Sequence, residues 1–219
     1  MKRVLLFAML SGITLLQAQN SDGDKRTIAN GTWNLGGTLS FGVQDTQSDN
    51  LQSGWESDNF SMSFFPSAGY AIADDWMVGL KTGYSFRRTE QHQPADPLDY
   101  NYENKAESIS VTPYVRKYFG LTDKLLIHLQ GELDYTALWN DISNSNSGRT
   151  TSRIDQFGAA IRPGVSFFVS QGLALETHIG ALQYYSAKTE YDSGATEDNN
   201  SFQLNLNTAS VLFGLSYYF

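Results

Sequence analysis

Apolar and polar residues alternate with a period of two over eight stretches of the chain, roughly 32–44, 59–72, 76–88, 107–119, 125–139, 154–169, 173–187 and 201–219. That period is the mark of strands with two unlike faces. The connections between the stretches differ in length by turns. Those at 73–75, 120–124 and 170–172 are tight and carry turn residues, Asp74-Asp75, Gly120 and Gly172. Those near 45–58, 89–106, 140–153 and 188–200 are long and rich in Ser, Asn, Asp and Gly. A compact soluble domain seldom has so many long connections, whereas a transmembrane barrel has short periplasmic turns and long outer loops. The pattern therefore predicts an all-β fold: an eight-stranded antiparallel up-and-down transmembrane β-barrel with short periplasmic turns and long extracellular loops.

The two faces say which way it is turned. In 125–139, Leu125, Ile127, Leu129, Leu133, Tyr135 and Trp139 share one face, and His128, Gln130, Glu132, Asp134 and Thr136 lie on the other. In 154–169, Phe157, Ile161, Val165 and Phe167 oppose Gln156, Gly158, Arg162 and Ser166. One face suits lipid; the other is small or charged and suits a crowded interior. A soluble secreted carrier, the competing reading, would turn the apolar rows inward, and a lumen this narrow has no room for them. Pairing Phe119 with Leu125 and Val169 with Leu173 brings Arg116 opposite His128, Ser166 opposite Glu176, Gly164 opposite His178 and Arg162 opposite Gly180, all on the polar face. In the last stretch Phe202 and Leu204 have the opposite parity to Leu215, Tyr217 and Phe219, which calls for a bulge near Asn207-Thr208. Pro66, Pro113 and Pro163 recur at equivalent apolar-face positions of alternate strands, and a repeated bulge is the expected accommodation.

Residues 1–18, with Lys2 and Arg3 ahead of an apolar run that ends at the small Ala18, read as a cleaved secretory signal peptide. Residues 19–31 then form a short periplasmic leader and 32–219 the barrel. The formal charge of -8 argues against a nucleic-acid partner, which needs a basic face. With no Cys, disulfides and Cys-ligated zinc are excluded, and the pattern calls for no metal or cofactor.

Loss of Lys2 and Arg3 leaves a mature chain of -10, and the four long connections carry all of it. The strand charges instead share the inward face. Lys81, Arg87, Arg116, His128, Glu132, Asp134, Arg162, Glu176 and His178 are expected to form an ion-paired column in the lumen, because an unpaired charge there is costly. Eight strands leave an interior that side chains can fill, so the column reads first as a structural plug and second as a conduit for small ions. Trp76, Phe119 and Phe167 at the short-turn ends, and Trp139 near a long loop, are placed as two aromatic girdles, with Phe86, Tyr185 and Phe219 beside them.

With these features the sequence resembles the small eight-stranded outer-membrane barrels of Gram-negative bacteria, the OmpA/OmpX type, grouped as outer membrane β-barrel or porin-family proteins. The resemblance covers Thr32 to Phe219 and includes the terminal run Val211-Leu212-Phe213-Gly214-Leu215-Ser216-Tyr217-Tyr218-Phe219. It implies that Leu215, Tyr217 and Phe219 are the signal read by the outer-membrane assembly machinery. It also implies a place in the outer membrane among lipid and lipopolysaccharide. The fold hosts many activities, so function rests on the sites. A non-enzymatic envelope and surface-loop role, with an extracellular ligand of the loops, is expected first, and a small porin-like channel is the alternative. A lipid A-modifying enzyme comes last: neither His128 nor His178 is followed two residues on by Ser, and His92 lies in a loop.

Overall fold

In a computed structural model of the chain, residues 25–48, 54–94, 99–146, 148–205 and 214–219 are described. The expected signal peptide, residues 19–24 of the leader and the bulge expected at Asn207-Thr208 lie outside them. Among the described residues ten strands run antiparallel: β1 Trp33–Ser48, β2 Trp55–Ala73, β3 Trp76–Gln93, β4 Tyr100–Gly120, β5 Leu125–Asn144, β6 Gly148–Phe168, β7 Leu173–His178, β8 Ala181–Tyr191, β9 Thr196–Asn205 and β10 Gly214–Tyr218. Each of β1 to β6 pairs with the next in sequence, β6 pairs with β7, β7 with β10, and β10 with β1. Eight strands thus close a ring, while β8 pairs with β6 beyond the end of β7, and β9 pairs with β8.

Side chains alternate across this ring in the reverse of a soluble fold. Leu39, Phe41, Phe64, Leu133, Phe157 and Leu215 are exposed, whereas Asn34, Thr112, Arg116, Gln130, Ser166 and Ser216 are buried. A wall that shows its large apolar residues outward is suited to acyl chains, and the inward-apolar premise of a soluble carrier does not hold. At the short-turn end the interior turns apolar. There the first inward residues beside the turns, among them Ala71, Met77, Tyr118, Leu126, Phe168, Ala174 and Tyr218, form one buried cluster.

The strands run further than the alternation indicates. β4 and β6 each have 21 residues, against the about 9–11 that cross a bilayer at a tilt. The expected loops at 45–58, 89–106 and 140–153 are mostly hydrogen-bonded hairpin extensions, with ladders reaching Ser48↔Trp55, Gln93↔Tyr100 and Asn144↔Gly148. Residues outside both a lipid belt and a packed core have no reason to alternate, so the ladder continues where the pattern stops.

Register departs from expectation in two places. Phe119 pairs with Ile127 rather than Leu125, which sets Arg116 opposite Gln130 and Tyr118 opposite His128. The slip is two residues, so every side chain keeps its face. Between β6 and the seventh strand, Ser166↔Glu176 and Gly164↔His178 pair as expected. Beyond Ile179-Gly180 the register shifts by one, and Ile161 meets Leu182. Gly180 has φ 76, a left-handed conformation that other residues adopt at a cost. This bulge reverses the faces of β8: Leu182 and Tyr184 point outward and Ala181 is buried. Tyr185, placed by simple alternation in the outer girdle, instead lines the interior, and Arg162 has no partner at Gly180.

The prolines are accommodated by a lapse in the ladder. Pro66, Pro113 and Pro163 pair with Gly37, Leu80 and Leu129 on the preceding strand. On the side of the following strand, pairing is interrupted at each. At Pro66 it resumes without a shift, from Phe64↔Tyr84 to Ser67↔Lys81, and at Pro113 from Val111↔Tyr135 to Tyr114↔Glu132. A missing N–H removes one rung and needs no extra residue. The expected bulge occurs only at the third proline, where it coincides with Gly180 and the Ile179 amide donates to the Pro163 carbonyl at 2.8 Å.

Candidate functional site: the lumen and its floor

From the short turns upward the interior is built in layers. The lowest is the described end of the leader. Its Arg26 amide donates to Thr122 O at 3.0 Å, and the Asp75 amide donates to Ile28 O at 2.7 Å. The Ile28 and Asn30 amides donate to Asp75 Oδ1 and Asp74 Oδ1, each at 2.9 Å. The Arg26 guanidinium donates to Gln171 O and stacks 3.6 Å from the Phe168 ring centroid. One segment therefore ties all three short turns together and sets Ile28 into the apolar cluster above it.

An ionic layer rests on that cluster. Arg116 Nη1 lies 2.9 Å from Glu176 Oε2 and donates to Tyr118 OH at 3.0 Å, while its Nε donates to Gln130 Oε1 at 2.5 Å. Glu176 also accepts from Tyr218 OH and, at 3.2 Å, from Ser166 Oγ. Both charges are almost wholly buried, and each has a counter-charge and neutral partners, which is what a charge in a dry interior requires.

A second group lies one step higher. Glu132 is held by Lys81 Nζ at 3.2 Å, Arg162 Nε at 2.7 Å and Gln130 Nε2 at 2.5 Å. Among the described residues Asp134 has no ion-pair partner; Thr112 Oγ1 and Thr136 Oγ1 donate to it at 2.7 and 3.0 Å. Above the Arg116–Glu176 layer opens a cavity of about 650 Å³ lined by Lys81, Glu132, Asp134, Arg162 and His178.

Eight of the nine residues expected in the column are brought together here. Arg87 is the exception: it has the inward parity but stands exposed toward the hairpin ends, and among the described residues it forms no ion pair. Parity gives a face, not a height. Sequence reasoning put Gln130 and Ser166 on the inward face without giving them a part in the column, and it missed Tyr118 and Tyr218, although both share the inward parity of their charged neighbours. It also missed Arg26 and Ile28, for which no periodic signal exists.

His128, Ser166 and Glu176 adjoin in an order that bears on catalysis. Ser166 Oγ donates to Glu176, so the His128 Nδ1–H must donate to Ser166 Oγ at 3.1 Å. A nucleophilic triad needs histidine between serine and carboxylate. Here serine is central, donates its proton to the carboxylate and is fully buried.

On the outer wall, Trp76, Phe119 and Phe167 are exposed near the short turns and Trp139 near the hairpin extensions. Leu215, Tyr217 and Phe219 point outward at the end of the chain. Above Trp139 the hairpins carry exposed ion pairs. Glu103 meets Lys105 and Arg88, each at 2.9 Å, and Asp141 meets Arg149. Lys105 and Arg88 hold the Glu103 carboxyl below its ordinary pKa, and Arg149 does the same for Asp141.

Comparison with known proteins agrees with this geometry. The structure is similar to that of the outer membrane protein OprG from Pseudomonas aeruginosa, with a TM-score of 0.50 and 15% identity over 90% of this chain and 98% of that one. At that identity the likeness concerns the fold. Weaker similarity extends to a major outer membrane protein from Thermus thermophilus (TM-score 0.43, 11% identity, 86% and 98% covered). It extends also to Neisserial surface protein A (TM-score 0.38, 15% identity, 89% and 100% covered). No curated protein sequence matches the chain. The family described as outer membrane protein beta-barrel domain matches over residues 5–219, so the chain belongs to that family and is an outer-membrane protein.

Proposed function

We propose that this protein is an eight-stranded, non-enzymatic barrel of the outer membrane that is closed to solutes and presents its hairpin extensions at the cell surface. The observation behind this reading is the floor. Leu126, Met77, Ala71, Ala174, Tyr118 and Phe168 have at most 1% exposure, Arg116 and Glu176 sit directly above, and Ile28 closes the layer from below. Envelope support and contact of the hairpins with an extracellular ligand are the roles such a closed barrel can serve. Export follows from a signal peptide at 1–18, and outward-facing Leu215, Tyr217 and Phe219 serve the assembly machinery. Catalysis is disfavoured by the order of His128, Ser166 and Glu176.

The cavity of about 650 Å³ is the one feature that favours a small channel instead. Conductance of the purified, folded protein in planar bilayers separates the two readings. The closed barrel gives no steady openings, and Ile28→Asp, which drives a charge into the floor, introduces them. Steady openings from the unaltered protein would replace the closed barrel with the channel.

A further inference from the structure

Eight strands leave an interior that side chains can fill, yet this one keeps a cavity of about 650 Å³ above the Arg116–Glu176 layer. The floor closes it below. Above it the inward residues are no longer buried: Ser61, Ser63 and Ser85 are half-buried, and Gln44 and Arg87 are exposed. The cavity is therefore a blind cup entered from the hairpin side, of a size usual for small-molecule sites.

Small inward residues make the room. Gly158 pairs with Asp134 and Ala160 with Glu132, so β6 sends no side chain across the lumen at these heights. On the line above, Gly83, Ser110, Thr136 and Gln156 follow one another across β3 to β6. Phe65 lies over Gly83: a Cβ there would stand 2.4 Å from the Phe65 ring and from Ser110 Oγ. The missing side chain lets the ring rest against the wall and line the cup.

The lining has no net charge, because Lys81, Arg116 and Arg162 balance Glu132, Asp134 and Glu176. An ion entering it would lose water and gain no unmatched counter-charge. The hydrogen-bonding groups left over are instead of both kinds. Asp134 accepts one bond at each oxygen, although an ionised carboxylate has about four lone-pair sites. Lys81 and Arg162 are partly exposed and have N–H groups beyond those given to Glu132 and Gln183. Among the described residues the Gln156 amide forms no hydrogen bond, and His178 Nε2 is shut from solvent with no partner. Hydroxyls both donate and accept, so a polyhydroxylated molecule answers this mixture, and an aromatic ring face attracts the C–H groups of a sugar ring.

We propose that the cup binds an uncharged pyranose sugar from the outside, with Asp134 accepting from its hydroxyls, Lys81 donating to them, Gln156 doing both, and Phe65 against the ring. The proposal rests on the closed barrel of the preceding section and deepens it: the extracellular ligand gains a chemical class, and its site lies in the lumen below the hairpins.

The test uses the whole mature chain in phosphatidylcholine nanodiscs. The methyl glycosides of glucose, galactose, mannose and N-acetylglucosamine are titrated by saturation-transfer NMR, with glucuronate and glucosamine as charged counterparts. At least one neutral glycoside is expected to saturate and to bind about tenfold more tightly than either charged sugar. Maltotriose and chitotriose tell the source: binding as tight as that of the methyl glycoside assigns the cup to a chain end, and weaker binding to a free sugar. Asp134→Asn weakens the neutral glycoside about tenfold, and Gln156→Ala and Phe65→Leu about threefold each. Ile28→Asp in the floor and Lys117→Gln near the short turns change nothing. Heat-modifiable gel mobility verifies folding of each variant, and Gln156→Ala and Phe65→Leu carry the test if Asp134→Asn does not fold. Equal binding of neutral and charged sugars overturns the proposal, as does an affinity that survives the loss of Asp134, Gln156 and Phe65 in turn. Absence of saturation by all four glycosides, in protein that gives no openings in planar bilayers, overturns the cup alone; steady openings overturn the closed barrel on which it rests.

Discussion

The Arg116–Glu176 pair offers a measure of how dry the lumen is. The two side chains meet at 2.9 Å with 5% and 7% exposure. Glu176→Gln preserves volume and leaves Arg116 bonded to Gln130 and Tyr118, but it strands the guanidinium without a counter-charge. Breaking one side of a buried pair costs about 3–5 kcal/mol, against about 0–1 kcal/mol for a pair exposed to water. Arg116→Met strands Glu176 in the same way. The double variant strands neither charge, so its loss should be smaller than the sum of the two, by about 2–3 kcal/mol of coupling. Urea unfolding in lipid vesicles, followed by Trp fluorescence, reads all three free energies. Single losses within about 1 kcal/mol, or strict additivity, would show water at this level and refute a sealed floor.

Other expected outcomes use the same unfolding assay or a local probe. Leu129 is 47% exposed on the outward face, so Leu129→Arg should cost about 2–4 kcal/mol and Ser193→Arg at a hairpin tip at most about 1 kcal/mol; equal costs would contradict a lipid-facing wall. A Cβ on Gly79 would lie 2.3 Å from the Tyr114 ring and 2.5 Å from Ala68 O, while one on Gly131 meets only Val115 at 3.6 Å. Gly79→Ala is therefore expected to destabilise by about 1–3 kcal/mol, and Gly131→Ala to leave the unfolding midpoint unchanged. Arg149 lowers the pKa of Asp141, so their contribution is present above the unfolded carboxylate value of about 4 and is lost as pH falls. Spin labels at Asn140 and Ser152 should show the hairpin end loosening in acid and no change toward alkaline pH, and Asp141→Asn should give the loosened spectrum at pH 7.

How legible each feature is in the sequence depends on whether it follows from a period of two. Faces do. Eight of the nine expected lumen residues converge because a slip of two residues, as at Phe119↔Ile127, leaves parity intact. That slip arises in the second short turn, where the Leu121 and Thr122 amides both donate to the Leu125 carbonyl, a geometry that composition does not specify. Parity fails only where the backbone itself changes phase. At Gly180 a left-handed residue reverses the faces, and the reading of Tyr185 as a girdle residue fails there while Tyr184 takes the outward place. The hairpin extensions are hidden for another reason: a ladder of backbone bonds holds them, and their side chains alternate with nothing.

Height along the barrel is written less clearly than face, and the floor shows why. Arg87 and Arg116 have equivalent parity, yet one is exposed near the hairpins and the other lies against Tyr118 and Glu176. What separates them is the apolar cluster beneath Arg116, whose members sit beside three different turns and whose last member, Ile28, comes from no strand. Ile28 is held there by the amide and carboxylate of Asp75 in the first turn, with the Asn30 amide on the Asp74 carboxylate beside it, and Arg26 by the carbonyls of the other two. Turns whose polar groups face the mouth of a ring need partners, and an extended segment crossing that mouth supplies amides, carbonyls and a guanidinium together. Closure of the lumen therefore depends on a segment with no periodicity of its own, and it is legible only once the turns it satisfies have been brought into one plane.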